Sequence, residues 1–165
     1  MTIPYRGCTS ESTYFITADC WEKQRLLQSD RMARLLIDVL YHYRSQQRYL
    51  LHEFVIMPNH IHLIITPTKI SIQRAMQLVK GGFSFRAGRD IGIGGEIWQT
   101  SFHDRRIRDA GEYREYVGYV HRNPVTAGLV ITPSEFEFSS AHPGFEVDAV
   151  PERLKPGCLE PSMQA

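Results

Sequence analysis

The 165-residue chain has few cysteines, no long apolar run and almost no net charge. Each shortage excludes something. Cys8, Cys20 and Cys158 are odd in number and far apart, with neither disulfide-framework nor zinc-finger spacing. They are expected to be reduced thiols in a cytoplasmic protein. No stretch approaches the roughly 18 apolar residues that span a bilayer. The opening MTIPYRGCTS also lacks the basic-then-apolar layout of a signal peptide. No membrane partner is expected. The formal charge of +1 does not mark a polyanion binder, and 42% hydrophobic with 22% charged residues suits one soluble domain with a real core.

The charge is unevenly spread. Ser71 to Arg108 holds seven cationic residues against three anionic ones, whereas Ile131 to Ala165 holds two against six. A basic middle can meet phosphates, or can be an ordinary solvated helix face.

Periodicity outlines the elements. STYFITADC alternates and reads as a strand near Tyr14 to Thr17. Met32, Leu35, Leu36, Val39, Leu40 and Tyr43 recur at helical spacing after a cap at Ser29 or Asp30. Two strands follow, near Leu50 to Met57 and His60 to Thr66, joined by a turn at Pro58-Asn59. Ile72, Met76 and Val79 mark a second helix that is expected to end or bend at Gly81-Gly82. DIGIGGEIW reads as a mobile glycine-rich loop, and WQTSFHDRRIR holds a short fourth strand. A third helix starts near Asp109 and is expected to end before Pro124. After Val130 the chain is rich in Pro, Glu and Ser, with no strong periodicity. The expected fold is α+β, a ferredoxin-like antiparallel sheet with two helices on one face and the other face free to bind.

FVIMPNHIHLIITP, Phe54 to Pro67, carries His60 and His62 two apart, hence on one strand face. Two imidazoles on an apolar strand are half of a divalent-metal site, or core histidines bonded to backbone. In the last helix Tyr119 and Asn123 are four apart and share a face, with Tyr116 nearby. That face can present an amide and a phenol, or pack tyrosines on the sheet with Asn123 as a cap.

Three segments in order, MPNHIHLIITP, IWQTSFHDRRIR and EYVGYVHRNPVTAGLV, resemble the signature segments of the HUH single-tyrosine transposases of the IS200-like superfamily, and more closely the REP-associated ones. The likeness runs from about Tyr14 to Val130. It implies a transposase domain over residues 1–130, with the helix after the sheet carrying the tyrosine. Residues 131–165 form an acidic tail of unassigned role. The resemblance further implies His60, His62 and Asn123 as ligands of Mg²⁺ or Mn²⁺ and Tyr119 as the nucleophile. His103 and Asp104 fall in the FHD segment, with a structural or DNA-contacting role.

The implied activity is cleavage and rejoining of single-stranded DNA beside a hairpin, through a 5′-phosphotyrosine, by a monomer or homodimer. Arg74, Lys80 and Arg86, with Arg105, Arg106 and Arg108, are the candidate backbone contacts. Phe83, Phe85 and Trp98 are candidates to stack on bases. Two other readings stay open at this point. A relaxase or replication-initiator nickase shares the histidine pair and the tyrosine, and a metal-free single-strand-binding sheet needs neither.

Overall fold

The computed structural model describes residues 12–157. Cys8 and Cys158 lie outside them, and Cys20 is buried, its thiol pushed up to about 11 by burial. Thr13–Asp19 is β1, Asp30–Ser45 α1, Tyr49–Ile56 β2 and His60–Pro67 β3. Ile72–Arg86 is α2, His103–Ile107 β4 and Ala110–Thr126 α3. The strands form one antiparallel sheet in the order β2-β3-β1-β4. This is the expected ferredoxin-like topology.

Strand parity builds the main core. Ile16, Leu51, Phe54, Ile61, Leu63 and Ile65 face one side and pack with Leu36, Leu40, Met76 and Val79 of α1 and α2. Serine closes the start of both helices: Ser29 Oγ accepts from the Met32 N–H, and Ser71 Oγ from that of Arg74.

Five expectations are corrected. Gly81-Gly82 does not stop α2, because Gly82 is a contact and not a break. A Cβ there would lie 2.7 Å from the Tyr43 hydroxyl of α1. The glycine-rich segment is anchored at its far end. The Trp21 N–H donates to the Ile97 carbonyl, the Gln99 N–H donates to that of Asp19, and Ile97 and Trp98 are buried. Trp98 packs edge-on against the fully buried Phe83, so neither can stack on a base, whereas Phe85 is 66% exposed. Pro124 does not end α3. Its buried ring sits in the last turn, the Ala127 N–H still reaches the Asn123 carbonyl, and the chain reverses only at Gly128 with φ +77. Finally, the second sheet face is not bare. Phe15, Val55, Ile64 and Ile107 alternate outward there, and α3 with Leu154 covers them.

The C-terminal segment lies along the outer edge of β2. The Ile56 N–H donates to the Phe138 carbonyl, the Ser140 N–H to that of Phe54 and the Asp148 N–H to that of Leu51. Asp148 accepts two bonds from Arg44, each 2.9 Å, and one from the Leu51 N–H. An edge strand offers unpaired backbone groups to other chains, and this segment covers them. A register shift at His52 sets Leu51 opposite Ile65 and Glu53 opposite Ile64. Glu53 thereby accepts from His121 of α3 at 2.8 Å and from Ser140 of the C-terminal segment, tying both to β2.

Candidate active site

The β1–β3 ladder sets His60 opposite Asp19 and His62 opposite Thr17. Residues opposite each other share a face, so all four side chains lie on the side of α3. The two imidazole centroids are 4.8 Å apart. Asn59 Oδ1 lies 2.7 Å from His60 Nδ1. That oxygen can only accept, so Nδ1 carries the proton and Nε2 keeps its lone pair. His62 is 3% exposed. Its Nδ1 is 3.0 Å from Thr17 Oγ1, and the Ile16 carbonyl also accepts from this ring. Its Nε2 is buried with no hydrogen-bond partner. Burial, helped by the neighbouring His60, pushes His62 down to about 4, and burial also lowers His60. Both rings are therefore neutral near pH 7, the state in which an imidazole binds a metal.

α3 brings the rest. Its N-terminus is closed by Asp109, whose Oδ1 accepts from the Glu112 N–H, while Glu112 accepts from the Arg108 N–H. Phe15 of β1 seats the helix by stacking on Tyr116 at 4.5 Å and on His62 at 5.2 Å. Tyr116 is thereby held in packing. Tyr119, one turn on, stays 50% exposed, with its ring 5.2 Å from that of His62 and edge-on to Phe15. Another turn on, the Asn123 side chain lies beside His60 and lines the same cleft. Because α3 continues to Thr126, Asn123 is no cap, and its amide is available to the site.

A cleft of about 370 Å³ opens beside these groups, between the β2–β3 turn and the last turns of α3. His60, Tyr119 and Asn123 line it, together with Arg25, Met57, Arg122 and Leu129. Among the described residues no three His, Cys, Asp or Glu gather as a metal cluster. The donors present are two neutral imidazoles and one amide oxygen. The unspent His62 Nε2 lone pair in a buried place is what a cation would satisfy.

The cationic candidates are scattered. Arg105, opposite Phe15, is on the α3 face, whereas Arg106, opposite Tyr14, is on the other. Arg108 directly precedes the Asp109 cap. Arg74 donates to Gln77 on exposed α2. Lys80 holds the Gln99 carbonyl at 2.7 Å, and Arg86 pairs with Asp90 at 3.7 Å. His103 lies in one cross-strand row with Thr17 and His62, and Asp104 points to the opposite side, across from Ile16. Sequence reasoning missed Asp19, Thr17, Arg25 and Arg122. Strand pairing puts Thr17 and Asp19 at the site and loop docking puts Arg25 there, with no local motif to mark them, whereas Arg122 shares the α3 face of Tyr119 three residues on.

The family profile described as "Transposase IS200 like" matches residues 8–123. The chain belongs to the IS200-like transposase family. The transposase is 25% identical over 132 residues to the REP-associated tyrosine transposase of Escherichia coli K12, covering 79% of this chain and 76% of that one. It is 26% identical over 165 residues to a Haemophilus influenzae protein provisionally named a REP-associated tyrosine transposase, covering 89% of each chain. A solved REP-associated tyrosine transposase bound to a REP hairpin shares the fold, with a TM-score of 0.67 at 23% identity, covering 91% of this chain and 92% of that one. No helix of the transposase, among the described residues, is long and apolar enough to cross a membrane.

Proposed function

We propose that this transposase cleaves and rejoins single-stranded DNA beside REP-like hairpins, with Tyr119 as nucleophile and His60, His62 and Asn123 as holders of a divalent cation. The observation that carries the reading is convergence. Two segments distant in sequence, β3 and α3, bring an exposed phenol, two neutral imidazoles and an amide together, and His60, Tyr119 and Asn123 line one cleft. The hairpin is proposed from the solved relative whose structure holds one.

In the forward step the Tyr119 oxygen attacks the scissile phosphorus, forming the Tyr–O–P bond as the P–O3′ bond breaks. The phenol proton leaves to solvent, and the departing 3′-oxygen takes one up. The result is a 5′-phosphotyrosine and a free 3′-OH, which can attack in turn to rejoin the strand. A divalent cation held by His60, His62 and Asn123 would supply Lewis-acid polarisation of a phosphoryl oxygen. Phe15 and His62 hold the Tyr119 ring, and Asn59 and Thr17 hold the two imidazoles, so the reacting groups need little reorganisation. Two imidazole nitrogens with one amide oxygen suit Mn²⁺ better than Mg²⁺, whose preference is for all-oxygen shells. A metal-free single-strand-binding sheet would need open aromatics on this face, and Phe15 is covered by Tyr116.

The test is a labelled hairpin oligonucleotide with a single-stranded flank, incubated with Mg²⁺ or Mn²⁺ and run under denaturing conditions. Wild type is expected to form a covalent adduct, and Tyr119→Phe to bind the hairpin without forming one. An adduct that persists in Tyr119→Phe and disappears in Tyr116→Phe would refute the assignment.

A further inference from the structure

We infer that the cleft beside Tyr119 is a nucleotide subsite, in which Arg25 and Arg122 clamp a backbone phosphate of the single strand flanking the cleaved bond and Leu129 takes its base. The inference rests on the DNA-cleavage reading above. It adds the groups that hold the flank in register with the nucleophile.

Five observations support it. The two guanidiniums come from separate places, Arg25 from the segment between β1 and α1 and Arg122 from α3, yet line the same cleft. Neither has an ion-pair or hydrogen-bond partner for its guanidinium among the described residues. Three of the six other candidate cations are engaged: Lys80 with a carbonyl, Arg86 with Asp90 and Arg74 with Gln77. The cleft volume, about 370 Å³, falls within the ~300–1,000 Å³ usual for small-ligand sites. Leu129 stays 41% exposed at its mouth, an apolar surface for a base to cover.

Arg122 is also seated by sequence. A Cβ at Gly118, one turn earlier on α3, would stand 2.8 Å from Arg122 Nη1. With glycine there the guanidinium lies back along the helix, and an added methyl would make this flexible side chain move aside. Arg122 follows Tyr119 by three residues and precedes Asn123, so the clamp and the proposed chemistry ride on the same two turns of α3. Arginine presents planar paired donors that fit phosphate oxygens.

The experiment measures binding of a hairpin oligonucleotide with and without a single-stranded flank, by fluorescence anisotropy across a salt series in EDTA. The full-length chain is used as wild type, Arg25→Ala, Arg122→Ala, Gly118→Ala and the distant control Arg48→Ala. Each lost phosphate contact to a single strand is expected to reduce the slope of log K against log[salt] by about 0.7. Arg25→Ala and Arg122→Ala should each show that reduction on the flanked probe only, with affinity falling about tenfold at low salt. Gly118→Ala should weaken binding in the same sense, and Arg48→Ala should match wild type. Arg122→Lys should recover the slope and guards against misfolding as the cause. The subsite is overturned if the two arginine variants keep the wild-type slope, or lose it equally on the blunt hairpin. Because this assay needs no cleavage, its failure is separate from failure of the nuclease reading, which shows instead as no adduct from wild type with either metal.

Discussion

Acid should unfold this protein through His62. The ring is buried at 3% exposure and its pKa is pushed down from 6.5 to about 4, first by burial and then by His60. A histidine whose folded pKa lies below its unfolded one binds more protons when unfolded. Its contribution is therefore fully present above about pH 6.5 and is lost as pH falls toward 4. The full shift corresponds to about 3 kcal/mol, of which about 2 kcal/mol is already lost at pH 5. Total stability of a domain is only about 5–15 kcal/mol, so the loss is large. Buried His52 and His60 are lowered in the same direction and add to the trend. The comparison that isolates His62 is therefore wild type against His62→Gln, whose amide replaces the imidazole beside Thr17 without titrating. Urea unfolding followed by circular dichroism at pH 7.5, 6, 5 and 4.5 gives both stability curves. The curves should converge, the wild-type advantage at pH 7.5 shrinking by about 2 kcal/mol at pH 5. Parallel curves across that range would refute a buried neutral His62. An imidazole titrating near 6.5 in the folded protein by NMR would refute it independently.

Other perturbations follow from the same geometry. Asn123→Ala should lose cleavage at a fixed Mn²⁺ concentration yet melt within about 0.5 kcal/mol of wild type, because Asn123 caps nothing; Asn123→Asp should retain part of the cleavage with a shifted metal optimum. Unchanged metal dependence together with a lower apo melting temperature would leave Asn123 a structural role only. Gly82→Ala should destabilise by about 1–3 kcal/mol through the Tyr43 contact, whereas Gly81→Ala, facing open space on the same helix, should stabilise by up to about 1 kcal/mol; equal effects in denaturant titrations would contradict the close approach of α1 and α2. Asp148→Ala removes the Arg44 and Leu51 bonds and should cost about 1–3 kcal/mol. Truncation after Val130 should bare the β2 edge and produce concentration-dependent association in sedimentation; a monodisperse truncated chain of full stability would show that the C-terminal segment is dispensable.

Local physics wrote much of this protein into its sequence. Alternation in FVIMPNHIHLIITP determined a hairpin with both histidines on one face, because the strand period of two leaves no other choice. Helical spacing from Met32 to Tyr43 and from Ile72 to Val79 determined two one-sided helices, and such helices with these strands admit few topologies. Where local rules ran out, tertiary packing decided. Gly81-Gly82 and Pro124 read as breaks by propensity, yet both sit inside helices, one against Tyr43 and the other in a buried last turn. Burial outweighs a propensity cost of about 1–3 kcal/mol. Phe15 and Ile64 point outward from the two-helix core, so something had to cover them, and only the folded chain shows that α3 and the C-terminal segment do. The imidazoles and the tyrosine could be read from motifs, and Arg122 rides on α3 three residues after Tyr119, whereas Thr17, Asp19 and Arg25 reach the site through pairings and dockings between distant segments. Spacing records the face a residue shares with its neighbours in sequence. It carries no record of which distant segment comes to lie opposite.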